Sequence, residues 1–221
     1  MGVDRIVSVT PATNYNLVDI GTLKTMLGLS GTMDDAYLAL LVTQASAAVA
    51  NYCNRNLVVE TVAETVWPVH ESTWGIVRGG VAPLQLTNWP LVSVTSVVET
   101  IMGTATTLTQ NTDYLVDAKK GQLVRLDVNG YPCRWKPNQI AVNYSAGFST
   151  IPSDVIDATT RLVKAAYFAQ ERDPNLRSEA VQGVAQVTYF GQRTGAQSGS
   201  LPADVQALLS SYRQPVLASV A

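Results

Sequence analysis

Hydrophobic positions in the first quarter of the chain recur with the spacing of helices. Between Asp34 and Asn54 an apolar residue occurs at every third or fourth position, which places these residues on one face of an α-helix. A shorter helix over residues 20–27 precedes it, because Asp19 can cap its first turn and Gly28 stands where a glycine commonly ends a helix. The predicted buried positions of the longer helix are Leu38, Leu41, Val42, Ala45, Val49 and Tyr52.

Helical spacing returns after Pro152. Ser153 or Asp154 can cap this third helix, and Asp173-Pro174 is predicted to stop it. A last helix is predicted to begin near Pro202 and to end before Pro215. The predicted buried stripe of the third helix is Val155, Ile156, Thr159, Leu162, Val163, Ala166 and Tyr167.

The middle of the chain consists instead of short runs of β-branched residues, which favour strands. Turn residues such as Gly103, Lys120-Gly121 and Asn129-Gly130 separate these runs. Short strands at this spacing predict an antiparallel sheet or a small barrel. The predicted strands cover residues 58–59, 61–62, 65–67, 91–102, 106–108, 114–116, 122–126 and 140–144, with a further one within 184–190.

The pattern as a whole predicts an α+β fold, in which a small bundle of about four helices carries an inserted antiparallel β domain. The expected parts are an extended arm over residues 1–18, a first helical part over 19–56, the β domain over 57–148 and a second helical part over 152–221. Within the last part, residues 191–200 are rich in Gly, Ser and Gln and are expected to form a flexible loop.

Charge argues against tight nucleic-acid binding. The chain has 221 residues, of which 14% are charged, its net charge is −2, and no block of Lys and Arg occurs. A protein that binds DNA through its phosphates needs several basic residues on one face. A wall along which DNA only slides is compatible with this composition.

Location follows from the N-terminus and the cysteines. Residues 1–10 contain Asp4 and Arg5 and do not resemble a signal peptide. The longest apolar segment, residues 36–53, is interrupted by polar side chains, so we expect no membrane span. Cys53 and Cys133 are therefore expected to be free thiols in a reducing cytoplasm.

No constellation of catalytic or metal-binding residues is found. His70 is the only histidine, and it stands in no motif of a catalytic triad or zinc site. The segment Asp127-Val128-Asn129-Gly130 resembles half of a calcium loop, but Asn-Gly favours a hairpin turn and the downstream acidic ligand is missing. We therefore expect no catalytic residue, no cofactor and no bound metal, and predict that the chain is not an enzyme.

Three segments together carry a resemblance to a known family. The first is the opening helix pair with its ending Asn51-Tyr52-Cys53-Asn54-Arg55, and the second is the passage from Tyr144-Ser145-Ala146-Gly147-Phe148 into Ile151-Pro152-Ser153-Asp154-Val155. The third is the closing run from Leu201 to Arg213. In order and spacing, over about residues 17–215, they resemble the head–tail connector (adaptor) proteins of tailed phages.

The resemblance implies a structural virion protein, assembled in the host cytoplasm and placed in the neck. Its subunits are expected to form a ring of twelve that docks on the portal protein, continues the DNA channel and offers a surface to a stopper or tail-completion protein. We expect the free protein to be monomeric and the portal to template the ring. The residues that the resemblance places at the portal are Leu201, Pro202, Val205, Leu208, Leu209, Tyr212 and Arg213.

The small residues of the long helix are expected to allow close packing between subunits; these are Ala39, Ser46, Ala47 and Ala50. Three other interpretations stay open. The terminal helix could simply fold onto its own bundle. The chain could be a different neck protein, such as a stopper or tail-completion protein. The β domain could also bind a peptide or glycan through its tryptophans, Trp67, Trp74, Trp89 and Trp135.

Overall fold

The structure is a computed structural model that describes residues 5–68, 83–136, 138–169, 178–181, 185–188 and 201–214. The chain divides into two compact units. Unit 1 consists of residues 1–14 and 56–150, and unit 2 of residues 15–55 and 151–221. His70 and Trp74, and the predicted loop over 191–200, lie outside the described residues.

The described elements form runs along the chain: one strand, two helices, eight strands, one helix, two strands and a last helix. In order they are β1 (Arg5–Thr10), α1 (Ile20–Leu27), α2 (Asp35–Cys53), β2 (Glu60–Val66), β3 (Leu84–Gln85), β4 (Leu91–Ile101), β5 (Thr104–Leu108), β6 (Tyr114–Asp117), β7 (Gln122–Leu126), β8 (Pro132–Cys133), β9 (Gln139–Ala146), α3 (Ser153–Ala169), β10 (Ser178–Val181), β11 (Ala185–Thr188) and α4 (Ala203–Leu209), followed by a 3₁₀ turn over Ser210–Tyr212. The predicted α+β class is confirmed.

The ends of α1 in unit 2 are those predicted from the sequence. The Asp19 carboxylate accepts a hydrogen bond from the backbone N–H of Thr22 at 2.9 Å, which satisfies one of the free donors of the first turn. Gly28 closes the helix at φ 69°, a left-handed conformation that costs glycine little.

Helices α2 and α3 form the core of unit 2. Five of the six predicted α2 positions are buried, and Tyr52 is half-buried. In the stripe of α3 residues predicted to be buried, Ala166 is exposed, and the other residues are buried or half-buried. The core consists of Val18, Leu23, Leu38, Leu41, Val42, Ala45 and Val163.

By length and composition α2 could cross a membrane, with a mean hydropathy of 1.2. It is the one described helix with this property. Its apolar face is buried against the rest of unit 2, as in the core helix of a globular domain.

The described residues of unit 1 form two antiparallel sheets. The larger has the strand order β1-β2-β9-β4-β5, and the smaller has the order β3-β7-β6 with β8 paired to β7. Both sheets contribute to one hydrophobic core, which includes Val62, Val97, Leu123, Val142 and Tyr144.

Several strands differ from the sequence prediction. Part of the expected arm, residues 5–10, is the edge strand β1 paired with β2. Val58 forms only an isolated bridge to Phe148, and β2 begins two residues later. The strand expected within 184–190 is β11, and it pairs with β10, which the sequence did not predict.

Candidate assembly interface

The C-terminal segment of unit 2, expected to contact the portal, is docked on its own helices. Val205 and Leu209 are 1% and 0% exposed. Leu201, Leu208 and Tyr212 are half-buried, whereas Pro202 and Arg213 are exposed. The seven expected residues therefore divide into an inner set that packs inside the unit and an outer set that a partner can reach.

Polar contacts reinforce this docking. The Tyr52 hydroxyl donates to the Gln206 carbonyl at 3.4 Å, and the Arg213 guanidinium lies 5.5 Å from the centre of the Tyr52 ring, a cation–π arrangement. The Gln214 N–H donates to the Cys53 carbonyl at 2.8 Å. The last turn of α2 is thus held by the segment that follows α4, which satisfies one of its terminal carbonyls.

Charged and ionisable groups also tie this segment to α3. Arg161 reaches Asp204 at 3.1 Å and Asp157 at 2.9 Å. The hydrogen bond from Arg161 lowers the pKa of Asp204, so this pair stays ionised at neutral pH. The Tyr212 hydroxyl lies 3.4 Å from the Asp154 carboxylate; burial and that neighbouring charge raise the pKa of Tyr212. Because the ion pair is exposed, we infer that it orients α4 on α3 and contributes little to stability.

The four small residues expected between subunits do not share one surface. Ser46 is buried, and its hydroxyl accepts a hydrogen bond from the Leu17 N–H at 3.1 Å. Ala39 and Ala50 are half-buried, and only Ala47 is exposed. The solvent side of α2 carries Leu40, which is 53% exposed. Leu40 was not predicted from the sequence as an interface residue, because it lies next to the stripe of residues predicted to be buried.

The thiol at the end of α2 is not arranged for chemistry. Burial raises the pKa of Cys53, which keeps the thiol protonated and a poor nucleophile at neutral pH. Among the described residues no group of three or more His, Cys, Asp or Glu side chains is placed to hold a metal ion. The Asp127 carboxylate accepts from the N–H groups of Asn129 and Tyr131 at 2.9 Å each, which makes it part of the predicted hairpin turn.

In unit 1, a groove of about 390 Å³ adjoins β4. None of the three described tryptophans lines it: the lining residues are Leu91, Val92, Ser93, Val94, Gln110, Val116 and Ala118. Trp135 packs against the core, and its indole N–H donates to the Leu123 carbonyl at 3.1 Å. Packing and this hydrogen bond account for Trp135 as a residue of the core.

Residues 16–215 match the sequence profile of a family described as head completion protein. The chain belongs to this family. The match covers both units and nearly the same span as the resemblance derived from the helix pair, the strand-to-helix passage and the closing helix. The resemblance to connector proteins of the virion neck is thereby confirmed.

Solved structures agree with this family at the level of the fold. A chain from the neck of an empty gene transfer agent particle, computed with C6 symmetry, is similar with a TM-score of 0.52 and 16% identity, over 95% of this chain and 96% of that one. A chain from the virion of the native gene transfer agent particle gives a TM-score of 0.51 and 18% identity at the same coverage. A search of curated proteins gave no significant match.

Proposed function

We propose that this head completion protein is one subunit of a ring in the neck of a tailed particle. The ring docks on the portal, continues the DNA channel and presents a surface to the next neck or tail protein. The observation that carries the proposal is the family match over residues 16–215, which spans both units. The similar chain from a particle neck computed with C6 symmetry adds support, because a ring of twelve identical subunits is compatible with sixfold symmetry.

The chemistry of the described residues suits a role based on interfaces. The most deeply buried carboxylate among the described residues, Glu64, is held by hydrogen bonds and an ion pair and has the character of a structural contact. The buried Cys53 thiol has a raised pKa. We therefore propose a structural, non-enzymatic role, with DNA passing through the ring without sequence-specific binding, as the net charge of −2 also favours.

The portal contact is proposed for the outer set of the C-terminal segment. Pro202 and Arg213 are exposed, and Leu201, Leu208 and Tyr212 are half-buried, so these five can meet a partner while α4 stays in place. Releasing α4 would expose Val205 and Leu209, at about 1.5–3 kcal/mol for each side chain. A portal surface that binds the docked helix avoids this cost.

Deletion of the gene tests the proposed function. We expect particles without this protein to accumulate as DNA-filled heads that lack tails, and a plasmid copy to restore tailed particles. A second plasmid copy with a stop codon in α2 is the matched control. Normal numbers of tailed particles in the deletion would overturn the proposal and favour the alternative of a ligand-binding β domain.

A further inference from the structure

Among the described strands, β1 lies at an open edge of its sheet and lacks the usual protection against pairing. It is bonded to β2 in continuous register from Arg5 to Thr10, and no described strand lies on its other side. Natural edge strands are commonly interrupted by bulges, charges or proline. The part of β4 that does not pair with β5 has two register shifts in its pairing with β9. The pairing of β1 with β2 has none. Its single charge, Arg5, forms an ion pair with the buried Glu64.

The inner face of β1 also leaves apolar side chains uncovered. Val7 stands opposite Glu64 and Val9 opposite Val62 in the register, so both face the core side of the sheet. Their partners are 1% and 0% exposed, but Val7 and Val9 are 38% and 41% exposed. Ile6, on the outer face, is 54% exposed. A further strand beside β1 would cover these side chains and pair with the backbone groups of residues 6–10 that point away from β2.

The described part of unit 2 contains a two-stranded hairpin. Within the described residues, β10 and β11 pair only with each other. An isolated two-stranded hairpin is at best marginally stable in water and needs a further strand or a packing surface. In sequence, β11 (Ala185–Thr188) carries no charge, whereas β10 contains Glu179. The uncharged β11 is thus the better match for the uncharged stretch from Ile6 to Thr10.

We propose that strand β11 of one subunit adds to the β1 edge of a second copy of the chain. This inference rests on the proposed ring. Each copy offers one β1 edge and one β10–β11 hairpin, so the contact is head-to-tail and consumes both in equal numbers, as a closed ring requires. Backbone hydrogen bonds supply the pairing, and the exposed Val7 and Val9 supply apolar contact.

The other edge of the same sheet is a poorer partner. Four strand steps of about −20 to −25° turn β5 by roughly 80–100° from β1. Neighbouring subunits of a twelve-membered ring differ by a rotation of only about 30°, so β5 of one copy cannot run alongside β1 of the next. The β10–β11 hairpin belongs to unit 2 and not to this sheet, so the twist of the sheet does not set its direction.

Cross-linking within assembled particles tests the pairing. Ser8→Cys and Gln186→Cys are combined in a Cys133→Ser background, since Cys133 is a half-buried native thiol and Cys53 is fully buried. Ser8 is exposed and lies near the middle of β1. Gln186 lies near the middle of β11, so a short bismaleimide can join the two cysteines whether the strands pair parallel or antiparallel. The matched control replaces Ser8→Cys by Thr106→Cys, an exposed position on β5.

We expect the double variant to give a ladder of cross-linked species from dimers upward, and each single variant and the β5 control to give none. Dimers from Ser8→Cys alone would show that β1 pairs with β1 of another copy and would overturn the inference. A cross-linked product of monomer mass would also overturn it, because the hairpin would then cover its own subunit. Circular dichroism of the purified variants checks that they fold.

Failure of the inference is separable from failure of the proposed function. The variant particles are also imaged for density of this protein in the neck. Neck density without a ladder overturns the β11–β1 contact and leaves the ring in place. Absence of neck density from unaltered particles overturns the ring and the inference with it.

Discussion

Glu64 is the most deeply buried charged side chain among the described residues of unit 1. It is 1% exposed and accepts hydrogen bonds from the Tyr144 hydroxyl at 2.7 Å and from the N–H and hydroxyl of Thr87 at 3.1 and 3.0 Å. The Arg5 guanidinium lies 2.5 Å away and also donates to the Thr87 hydroxyl and the Gln85 carbonyl. The network therefore joins β2 to three other segments of the chain, of which β1 is one.

Glu64→Ala is expected to lower the free energy of unfolding of unit 1 by about 3 kcal/mol, because it leaves a guanidinium and a hydroxyl without their buried partner. Urea unfolding followed by tryptophan fluorescence measures this change, since Trp67, Trp89 and Trp135 all belong to unit 1. Lys120→Ala is the control: it removes an exposed ion pair with Asp117 at 3.5 Å and should change stability by less than about 0.5 kcal/mol. Equal effects of the two substitutions would contradict the account.

Alkaline pH tests the same network through Tyr144. Burial first, and then the Glu64 charge, raises the pKa of Tyr144 above its usual value of 10.0. In the unfolded chain this hydroxyl loses its proton near pH 10, while the folded chain keeps it. Stability is therefore present below pH 10 and falls as the pH rises further, by about 1.4 kcal/mol per pH unit.

Tyr144→Phe removes this titration. We expect its unfolding free energy, measured in urea between pH 9 and 11.5, to fall less steeply with pH than that of the unaltered protein. Parallel pH dependence of the two proteins would show that Tyr144 does not stay protonated in the folded chain.

The residue contacts were only partly predictable. The turn at Asp127 could be derived from the sequence because Asn-Gly fixes a local conformation. Glu64 could not, because its partners are 23 to 80 positions away in the chain. The available signal was the alternation of Val62, Glu64 and Val66, which placed a carboxylate on the buried face of a strand.

At the scale of elements, α1 was predicted with both ends because its caps are local. Asp19→Ala should destabilise unit 2 by about 1 kcal/mol, since the Thr22 N–H loses its acceptor. Asp19→Asn keeps an acceptor at this position and should restore most of the loss. Thermal unfolding followed by circular dichroism at 222 nm measures both; an Asn variant as unstable as the Ala variant would argue against capping.

The division of the C-terminal segment into inner and outer sets makes a paired prediction. Leu209→Ala empties a fully buried position and should cost unit 2 about 2–5 kcal/mol. Arg213→Ala removes an exposed cation–π contact and should cost less than about 1 kcal/mol. Binding to the portal should respond in the opposite order.

Co-sedimentation with purified portal particles, at a temperature where both variants remain folded, measures this order. We expect Arg213→Ala to weaken binding and Leu209→Ala to bind as the unaltered protein does. Weakened binding by Leu209→Ala alone would mean that the inner set meets the portal after α4 has been released.

The strands were predicted correctly where the runs of β-branched residues are long. They were missed where pairing with a distant strand determines that a strand forms. The long strand β4 was predicted to within one residue. β3 and β8 have two residues each, too few for any period to appear. β1 has β-branched residues but no burial pattern, because the register leaves both its faces exposed.

At the scale of the whole molecule, the sequence pattern predicted an α+β fold but placed residues 1–14 with an arm rather than with the β unit. That assignment depends on the pairing of β1 with β2, which joins residues more than 50 positions apart. Local periodicity carries no information about such contacts. The family, in contrast, was recognisable because its distinguishing segments are helix starts and ends, whose residues act locally.

The central claim is that the chain forms a ring in the neck of a particle. Cryo-electron microscopy of the particle neck tests it most directly, with reconstruction in the absence of imposed symmetry. The account predicts a ring of twelve copies directly below the portal, in which the two-sheet unit and the helical unit are both recognisable and the central channel holds DNA. A neck that contains no density matching either unit, in particles that carry tails, would contradict it.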